Sequence, residues 1–169
     1  MKQRIAINGF GRIGRTVLRA WTARQSLHET VEIAAINEIA DPETVAHLAR
    51  YDSTHGRFPG TVTGTDDSLQ VNGQRIALLR QAQIDNLPWR DLEIDLVIES
   101  TGAFSDRLTA EQHISSGARR VLFSQPAQPD VDATIVWGLN QSELHADHRV
   151  ISAGSCTTNA LCPVLKIID

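Results

Sequence analysis

The feature that most constrains this chain is a Gly-x-Gly-x-x-Gly pattern at residues 9–14, close to its start. The apolar segment before the pattern is typical of a strand, and the segment after it is typical of a helix. In such a strand–loop–helix, Gly9 permits the tight turn, Gly11 lets backbone approach a pyrophosphate, and Gly14 lets helix and strand pack closely. The helix N-terminus adds free N–H groups for the phosphates. A purely structural strand–turn–helix can share the spacing, but the flanking pattern favours a dinucleotide site.

A second candidate for cofactor recognition is Glu38, which follows an apolar, strand-like stretch at residues 31–37. It lies 24 residues beyond Gly14, close to the separation at which a carboxylate binds the ribose hydroxyls of a dinucleotide. Because a carboxylate there repels a 2′-phosphate, it favours NAD over NADP. A solvated glutamate at a strand end is the alternative interpretation.

Strand-like and helix-like segments alternate along the chain, which predicts an α/β fold with a doubly wound, mostly parallel sheet of the Rossmann type. Period-2 patterns on both sides of Asn72-Gly73 predict a small antiparallel excursion within residues 61–79. Residues 51–60 are predicted to form a loop. The other predicted strands are 95–99, 120–124, 133–137 and 149–152, and the other predicted helices are about 42–51, 106–116 and from 155 onward.

Composition and charge exclude several classes of partner. The chain has 169 residues, enough for one domain with a full core, and its formal net charge of −4 argues against nucleic acid or an anionic membrane as a partner. No apolar run approaches the roughly 20 residues of a membrane span, and because Met1–Arg4 lead straight into the first predicted strand, we expect no signal peptide. With only two cysteines, Cys156 and Cys162, we expect a reduced cytoplasmic protein with no disulfide framework, and no metal site is predicted.

A turn of small residues, Ser100-Thr101-Gly102, follows the predicted strand at residues 95–99. Ligands of open α/β sheets bind in the crevice at the carboxyl ends of the strands. These three residues are therefore further candidates for contact with the cofactor.

Cys156 stands where the last predicted strand passes into the last predicted helix. Helix dipoles favour a thiolate in the first turn, which makes such a cysteine nucleophilic. Its neighbours Ser155, Thr157 and Thr158 carry hydroxyls that can orient a polar or phosphorylated substrate. A buried structural cysteine is the alternative interpretation for Cys156, and packing is the interpretation we favour for Cys162.

Four motifs occur in order along the chain: Ile7–Arg15 (INGFGRIGR), Tyr51–Gly56 (YDSTHG), Ser100–Gly102 (STG) and Ser155–Asn159 (SCTTN). Together they resemble the glyceraldehyde-3-phosphate dehydrogenase superfamily. The resemblance implies an NAD-dependent aldehyde dehydrogenase that acts on a sugar phosphate as a homotetramer. With the glycine pattern and the turn, it predicts these cofactor-binding residues: Gly9, Phe10, Gly11, Arg12, Ile13, Gly14, Glu38, Ser100, Thr101, Gly102 and Ser124.

The resemblance also implies the chemistry of Cys156. In this superfamily the matching cysteine attacks the aldehyde to give a thiohemiacetal, and hydride transfer to NAD leaves a thioester. Ser155 and Thr157 match substrate-contacting positions. Where many members have an NAD-contacting arginine, this sequence has Ala82, so that contact is not predicted.

Within the superfamily, the chain is most similar to the erythrose-4-phosphate dehydrogenases. The similarity rests on Ile36–Glu38, Leu87–Arg90, Asp132–Val136, Gly138–Gln141 and Ala146–Arg149. It implies oxidation of erythrose 4-phosphate to 4-phosphoerythronate, which feeds pyridoxal phosphate synthesis, with water releasing the acid. The glycolytic enzyme, in which phosphate releases the product, is the alternative. A semialdehyde dehydrogenase is disfavoured by Glu38, and a non-catalytic NAD-binding or redox-sensing module is an alternative of another class.

The resemblance spans the whole chain but about half of the family's usual length. It implies an NAD-binding domain at residues 1–152 and, at residues 153–169, the active-site helix that starts a largely missing catalytic domain. The family's general-base histidine lies beyond residue 169, and none of the six histidines here is a convincing substitute. We therefore expect the 169-residue chain alone to be nearly inactive, since acid–base help contributes roughly 100- to 10,000-fold.

Overall fold

The computed structural model describes residues 2–168 as a large twisted sheet with helices on both faces. The strands are β1 Gln3–Asn8, β2 Val31–Asn37, β3 Tyr51–Asp52, β4 Gly56–Arg57, β5 Val62–Thr65, β6 Ser68–Val71, β7 Gln74–Leu79, β8 Leu96–Glu99, β9 Arg120–Phe123, β10 Ala133–Thr134 and β11 Val150–Ser152. The helices are α1 Arg12–Ala23, α2 Pro42–Arg50, α3 Arg107–Ser115 and α4 Cys156–Ile168, and short 3-10 turns cover Gln25–Glu29, Ile84–Asn86 and Gln141–Glu143.

The order of the strands in the main sheet is β10-β11-β9-β8-β1-β2-β7-β6-β5. The seven strands from β10 to β7 are parallel to their neighbours, and β6 and β5 extend the sheet in antiparallel fashion. The chain leaves β1 toward β2 on one side and reaches β8 on the other, so the direction of winding reverses beside β1. This arrangement confirms the predicted α/β fold with its antiparallel excursion.

The alternation of apolar side chains between the two faces of the central strands explains why helices cover both faces of the sheet. Ile7 of β1 packs in one apolar cluster with Leu18 and Trp21 of α1, whereas its neighbour Ala6 packs in a second cluster with Trp89 and with Ala110 of α3. Successive side chains of a strand point to opposite faces of the sheet. The central strands are consequently apolar on both faces, as in other buried parallel sheets.

Local capping sets the starts of two helices. The side chain of Asp41 accepts a hydrogen bond from the Thr44 amide, and Pro42 occupies the first turn of α2. Asp106 caps α3 in the same way through the Thr109 amide. Both acidic residues satisfy amides that have no partner inside the helix.

Several boundaries differ from the sequence prediction. Helix α1 begins at Arg12, within the glycine pattern, rather than after it. The segment 51–60, predicted as a loop, contains the β3–β4 hairpin. Strand β10 ends at Thr134 instead of residue 137, because the Asn140 side chain accepts from the Val136 amide and donates to the Thr134 carbonyl. These two hydrogen bonds turn the chain away from the sheet.

Helix α4 lies at the surface. Along Cys156–Ile168 the structure buries none of the side chains, and Leu161, Val164 and Leu165 are about half exposed. Cys162, for which packing is the favoured interpretation, is half-buried. Across residues 2–168, no helix has both the length and the apolar character that crossing a membrane requires.

Asp132 joins α3 to β11. Its carboxylate pairs with the Arg107 guanidinium and accepts hydrogen bonds from the amides of Arg149 (2.7 Å) and Val150 (2.9 Å). Partial burial raises the pKa of Asp132, but these hydrogen bonds outweigh it and lower the pKa from 3.8 to about 2. The ionised carboxylate therefore contributes to the stability of this edge of the sheet.

We expect Asp132→Asn to lower the free energy of unfolding by about 1 kcal/mol at neutral pH. Because the folded-state pKa lies below the unfolded-state pKa, this contribution is complete above about pH 4 and is lost as the pH falls toward 2. Urea titrations at several pH values measure it, with the exposed Asp147→Asn as the control. A difference between wild type and Asp132→Asn that did not depend on pH would contradict the assignment.

Candidate functional site

A cleft of about 340 Å³ opens at the carboxyl edge of the sheet, between the segments that follow β1, β2, β7 and β8. Its position is the point where the winding of the sheet reverses, which is where open α/β sheets bind their ligands. The lining residues are Asn8, Gly9, Gly11, Asn37, Glu38, Ile39, Gln81, Ala82, Ile84, Ser100, Thr101, Ala103 and Phe104.

The glycine-rich loop forms one wall of the cleft, and its three glycines differ in what surrounds them. Gly9 has a φ of +88°, and a Cβ there would lie 2.6 Å from backbone atoms of Thr101. A Cβ on Gly14 would lie 2.3 Å from the Gly9 carbonyl oxygen, so helix α1 packs tightly on the loop. A Cβ on Gly11 would meet no atom within 4 Å. The loop thus leaves open space at Gly11, where a pyrophosphate needs it.

Glu38 lies on the side of the cleft formed by β2. One carboxylate oxygen accepts a hydrogen bond from the Phe10 amide at 2.9 Å, and the other accepts from the Ala40 amide at 3.3 Å. The carboxylate is therefore anchored to the glycine loop. Since a carboxylate has about four acceptor positions, it retains capacity for the hydroxyls of a ribose.

The turn after β8 forms the opposite wall. The Ser100 hydroxyl donates to the Gly9 carbonyl at 2.6 Å, and the Thr101 amide donates to the Glu99 carboxylate at 2.8 Å. The Ser100 bond holds the turn against the glycine loop, where no side chain at Gly9 separates them, and the Thr101 bond fixes the turn to the end of β8. The two walls of the cleft are in this way joined to each other.

The structure brings only some of the predicted cofactor residues to the cleft: Gly9, Gly11, Glu38, Ser100 and Thr101 line it. Phe10 is buried in the core, although its amide reaches Glu38. Arg12 and Ile13 are exposed on the first turn of α1. The remaining three, Gly14 under the loop, Gly102 at the surface and the half-buried Ser124 after β9, contribute no surface to the cleft.

Sequence reasoning missed a row of buried polar residues at three adjacent strand ends, two of which, Asn8 and Asn37, line the cleft. Asn8, Asn37 and Glu99 are the last residues of β1, β2 and β8, they pair in register, and they are buried. A polar residue closing each apolar strand was the available signal. Ala82 and Gln81 also line the cleft, because the parallel strand β7 ends next to β2, a neighbour relation that the sequence does not express.

Cys156 is the first residue of α4, and its side chain is exposed. The Ser155 hydroxyl caps this helix by accepting from the Thr158 amide at 2.9 Å, and it lies within hydrogen-bond distance of the hydroxyls of Thr157 (2.8 Å) and Thr158 (2.6 Å). Asn159 donates to the carbonyls of Ala153 and Ser155 and holds the entry to the helix. The thiol is thus presented to solvent next to a cluster of hydroxyls.

The cleft and Cys156 lie at the same edge of the sheet, but Cys156 does not line the cleft. Cys156 follows β11, which is the third strand from β1, at roughly 14 Å for strands about 4.8 Å apart. A ligand that extends along this edge from Glu38 passes the glycine loop on its way toward the cysteine.

The doubly wound sheet, the glycine loop and the anchored carboxylate define a dinucleotide-binding domain of the Rossmann class. The family model "Glyceraldehyde 3-phosphate dehydrogenase, NAD binding domain" matches residues 3–107. This match covers more than half of the chain, and the chain belongs to that family. Its cofactor is NAD, and the domain is that of an NAD-dependent dehydrogenase. The matched region contains the whole cleft and ends before Cys156.

Alanine substitutions at Gly9 and Gly11 distinguish the role of the loop in packing from its role in binding NAD. We expect Gly9→Ala to lower the free energy of unfolding by about 2–4 kcal/mol, because it combines a positive φ with a backbone clash. Gly11→Ala meets no neighbour, but Gly11 is the N-cap of α1, where alanine is less favourable than glycine, so we expect a smaller loss of about 0.5–1 kcal/mol. Its methyl group fills space beside the cleft, so NAD affinity should fall by about tenfold.

Urea denaturation measures the stability of both variants, and isothermal titration calorimetry measures NAD binding. Full NAD affinity in a folded Gly11→Ala variant would show that the pyrophosphate does not approach this glycine.

Proposed function

We propose that this protein oxidises erythrose 4-phosphate to 4-phosphoerythronate with NAD, through a covalent intermediate on Cys156. The observation that carries the proposal is the placement of the NAD cleft and of an exposed thiol at a helix N-terminus along one edge of the same sheet. The similarity of the sequence to the erythrose-4-phosphate dehydrogenases supports the choice of substrate, and it assigns the product to pyridoxal phosphate synthesis.

The residues of the cleft fit a bound dinucleotide. Glu38 would accept hydrogen bonds from the adenosine ribose, and the open space at Gly11 with the first amides of α1 would receive the pyrophosphate. A 2′-phosphate beside the Glu38 carboxylate would be repelled, which favours NAD over NADP. When bound, NAD supplies the acceptor for the hydride that the oxidation of the aldehyde releases.

Cys156 would supply the nucleophile. Its sulfur would add to the aldehyde carbon to form a thiohemiacetal, and the oxidation of this adduct would leave a thioester that water cleaves to the acid. The hydroxyls of Ser155 and Thr157 stand on the same turn as the thiol and would bind polar groups of the substrate. The free amides at the start of α4 would stabilise negative charge that develops near the sulfur.

Proton transfer is the step for which these residues supply no partner. The hydrogen bonds of the histidines within residues 2–168 go to groups other than Cys156. We therefore expect the 169-residue chain alone to turn over slowly, because it lacks the roughly 100- to 10,000-fold contribution of a general base.

Two alternatives remain testable. Glyceraldehyde 3-phosphate as the substrate, with phosphate as the acyl acceptor, is supported by the family to which the chain belongs. A redox-sensing NAD-binding module is supported by the exposure of the Cys156 thiol without a histidine partner. The resemblance further supports a cytoplasmic homotetramer, and two free thiols agree with a reducing compartment.

The decisive experiment follows NADH formation from erythrose 4-phosphate and NAD without inorganic phosphate, in the 169-residue chain and in a version extended by a catalytic domain of this family. We expect the extended version to form NADH, the 169-residue chain to form little, and Cys156→Ser to reduce both to background. Cys162→Ser is the matched control, since this second thiol lies on the same helix, and it should retain activity.

The outcomes distinguish the alternatives. NADH only with glyceraldehyde 3-phosphate and inorganic phosphate would replace the proposed substrate by that of the glycolytic enzyme. NAD binding without NADH from either aldehyde, together with selective oxidation of Cys156 by peroxide, would favour the redox-sensing module.

A further inference from the structure

The Glu99 carboxylate, at the end of β8, is fully buried although it is a charged group. One of its oxygens accepts hydrogen bonds from Asn8 Nδ2 at 2.6 Å and His113 Nε2 at 3.2 Å. The other accepts from the Thr101 amide at 2.8 Å and from the Thr101 hydroxyl. Burial by itself raises the pKa of Glu99, but the hydrogen bonds from His113, Thr101 and Asn8 outweigh it and hold the pKa below its ordinary value.

The hydrogen bond from Trp89 determines which ring nitrogen of His113 carries the proton. The indole Nε1–H of Trp89 donates to His113 Nδ1 at 3.0 Å, and both side chains are fully buried. Because an indole N–H can only donate, Nδ1 must accept, and the ring proton must sit on Nε2. His113 is therefore a neutral donor to Glu99. It lies on α3, and neither it nor Trp89 lines the cleft.

On the cleft side of Glu99 the hydrogen-bond donors also point toward the carboxylate. Since Asn8 donates its amide group to Glu99, its carbonyl oxygen is free to accept from Asn37 Nδ2 at 2.7 Å. The Asn37 side chain in turn donates to the main-chain carbonyl of Gln81 and accepts from the main-chain amide of Gln81, each at 2.9 Å. Asn8, Asn37 and Gln81 all line the cleft. The ionised carboxylate thus sets which way each amide points as far as the segment after β7.

We propose that His113 and Trp89 are positioning residues for the NAD cleft, acting through the buried Glu99 carboxylate on Asn8, Asn37 and Thr101. The chain Trp89–His113–Glu99–Asn8–Asn37 crosses from the packed face of α3 to the cleft floor, and on both sides of Glu99 every donor points toward the carboxylate. Buried polar networks of this kind stabilise a unique arrangement only when every member is satisfied. The inference rests on the proposed use of the cleft to hold NAD.

The first test replaces His113 and measures NAD binding by isothermal titration calorimetry under conditions where each variant is folded by circular dichroism. His113→Leu removes the donor to Glu99, and we expect the dissociation constant for NAD to rise roughly 3- to 30-fold. His113→Gln can present an amide N–H to Glu99 and a carbonyl to Trp89, as the neutral imidazole does, so we expect it to restore most of the affinity.

His28→Leu is the matched control. His28 likewise contacts a tryptophan: its ring centroid lies 4.3 Å from that of Trp21, and its Nε2 lies 3.0 Å from the Trp21 carbonyl oxygen. This pair packs away from the cleft, so we expect NAD affinity within about twofold of wild type. Equal affinity in His113→Leu and wild type, or a Gln variant as weak as the Leu variant, would overturn the proposal.

If His113→Leu does not fold, a second variant and a spectroscopic measurement still test the proposal. Trp89→Phe removes the indole N–H donor together with part of the buried ring; in folded protein we expect a smaller loss of NAD affinity in the same direction, whereas unchanged affinity would overturn the proposal. In the wild-type chain, the imidazole nitrogen chemical shifts should identify the Nε2–H tautomer of His113, and the Nδ1–H tautomer would contradict it. A wild-type chain that bound no NAD would instead refute the proposed use of the cleft.

Discussion

The close contact between the Gly9 backbone and the turn at Ser100-Thr101 is the constraint on which the site depends. Only a residue without Cβ can hold the positive φ of Gly9 and approach Thr101 to this distance. The contact brings the carboxyl ends of β1 and β8 together at the point where the sheet reverses its winding. The cleft, the hydrogen bond of Ser100 to the loop and the anchoring of Glu38 all follow from that geometry.

A buried charge accompanies this contact. Removing a carboxylate from water is costly unless hydrogen bonds replace its hydration, and Glu99 receives four such bonds. Two of them come from Thr101, which belongs to the wall of the cleft, and one comes from Asn8 on its floor. The cost of burying the carboxylate is therefore offset by the residues that shape the cleft, which links core packing to its surface.

Much of the fold could be predicted because its signals are local. The glycine pattern, the N-cap aspartates Asp41 and Asp106 and the Asn72-Gly73 turn each act within a few residues. The positions of Cys156 and its hydroxyl neighbours at a helix start were predictable for the same reason. The premature end of β10 was not, because it depends on side-chain bonds of Asn140 that compete with the sheet.

The sequence by itself determined a Rossmann-type α/β domain with a glycine loop, an acidic residue after the second strand and a cysteine at a helix N-terminus, since each rests on a short run of residues. Tertiary structure alone decided which strand ends adjoin. Strand order places Gln81, 44 residues from Asn37 along the chain, against its side chain, and register aligns Asn8 with Glu99 across 91 residues. The physical reason is that hydrogen bonds between parallel strands join segments distant in sequence, whose pairing depends on the packing of the whole sheet.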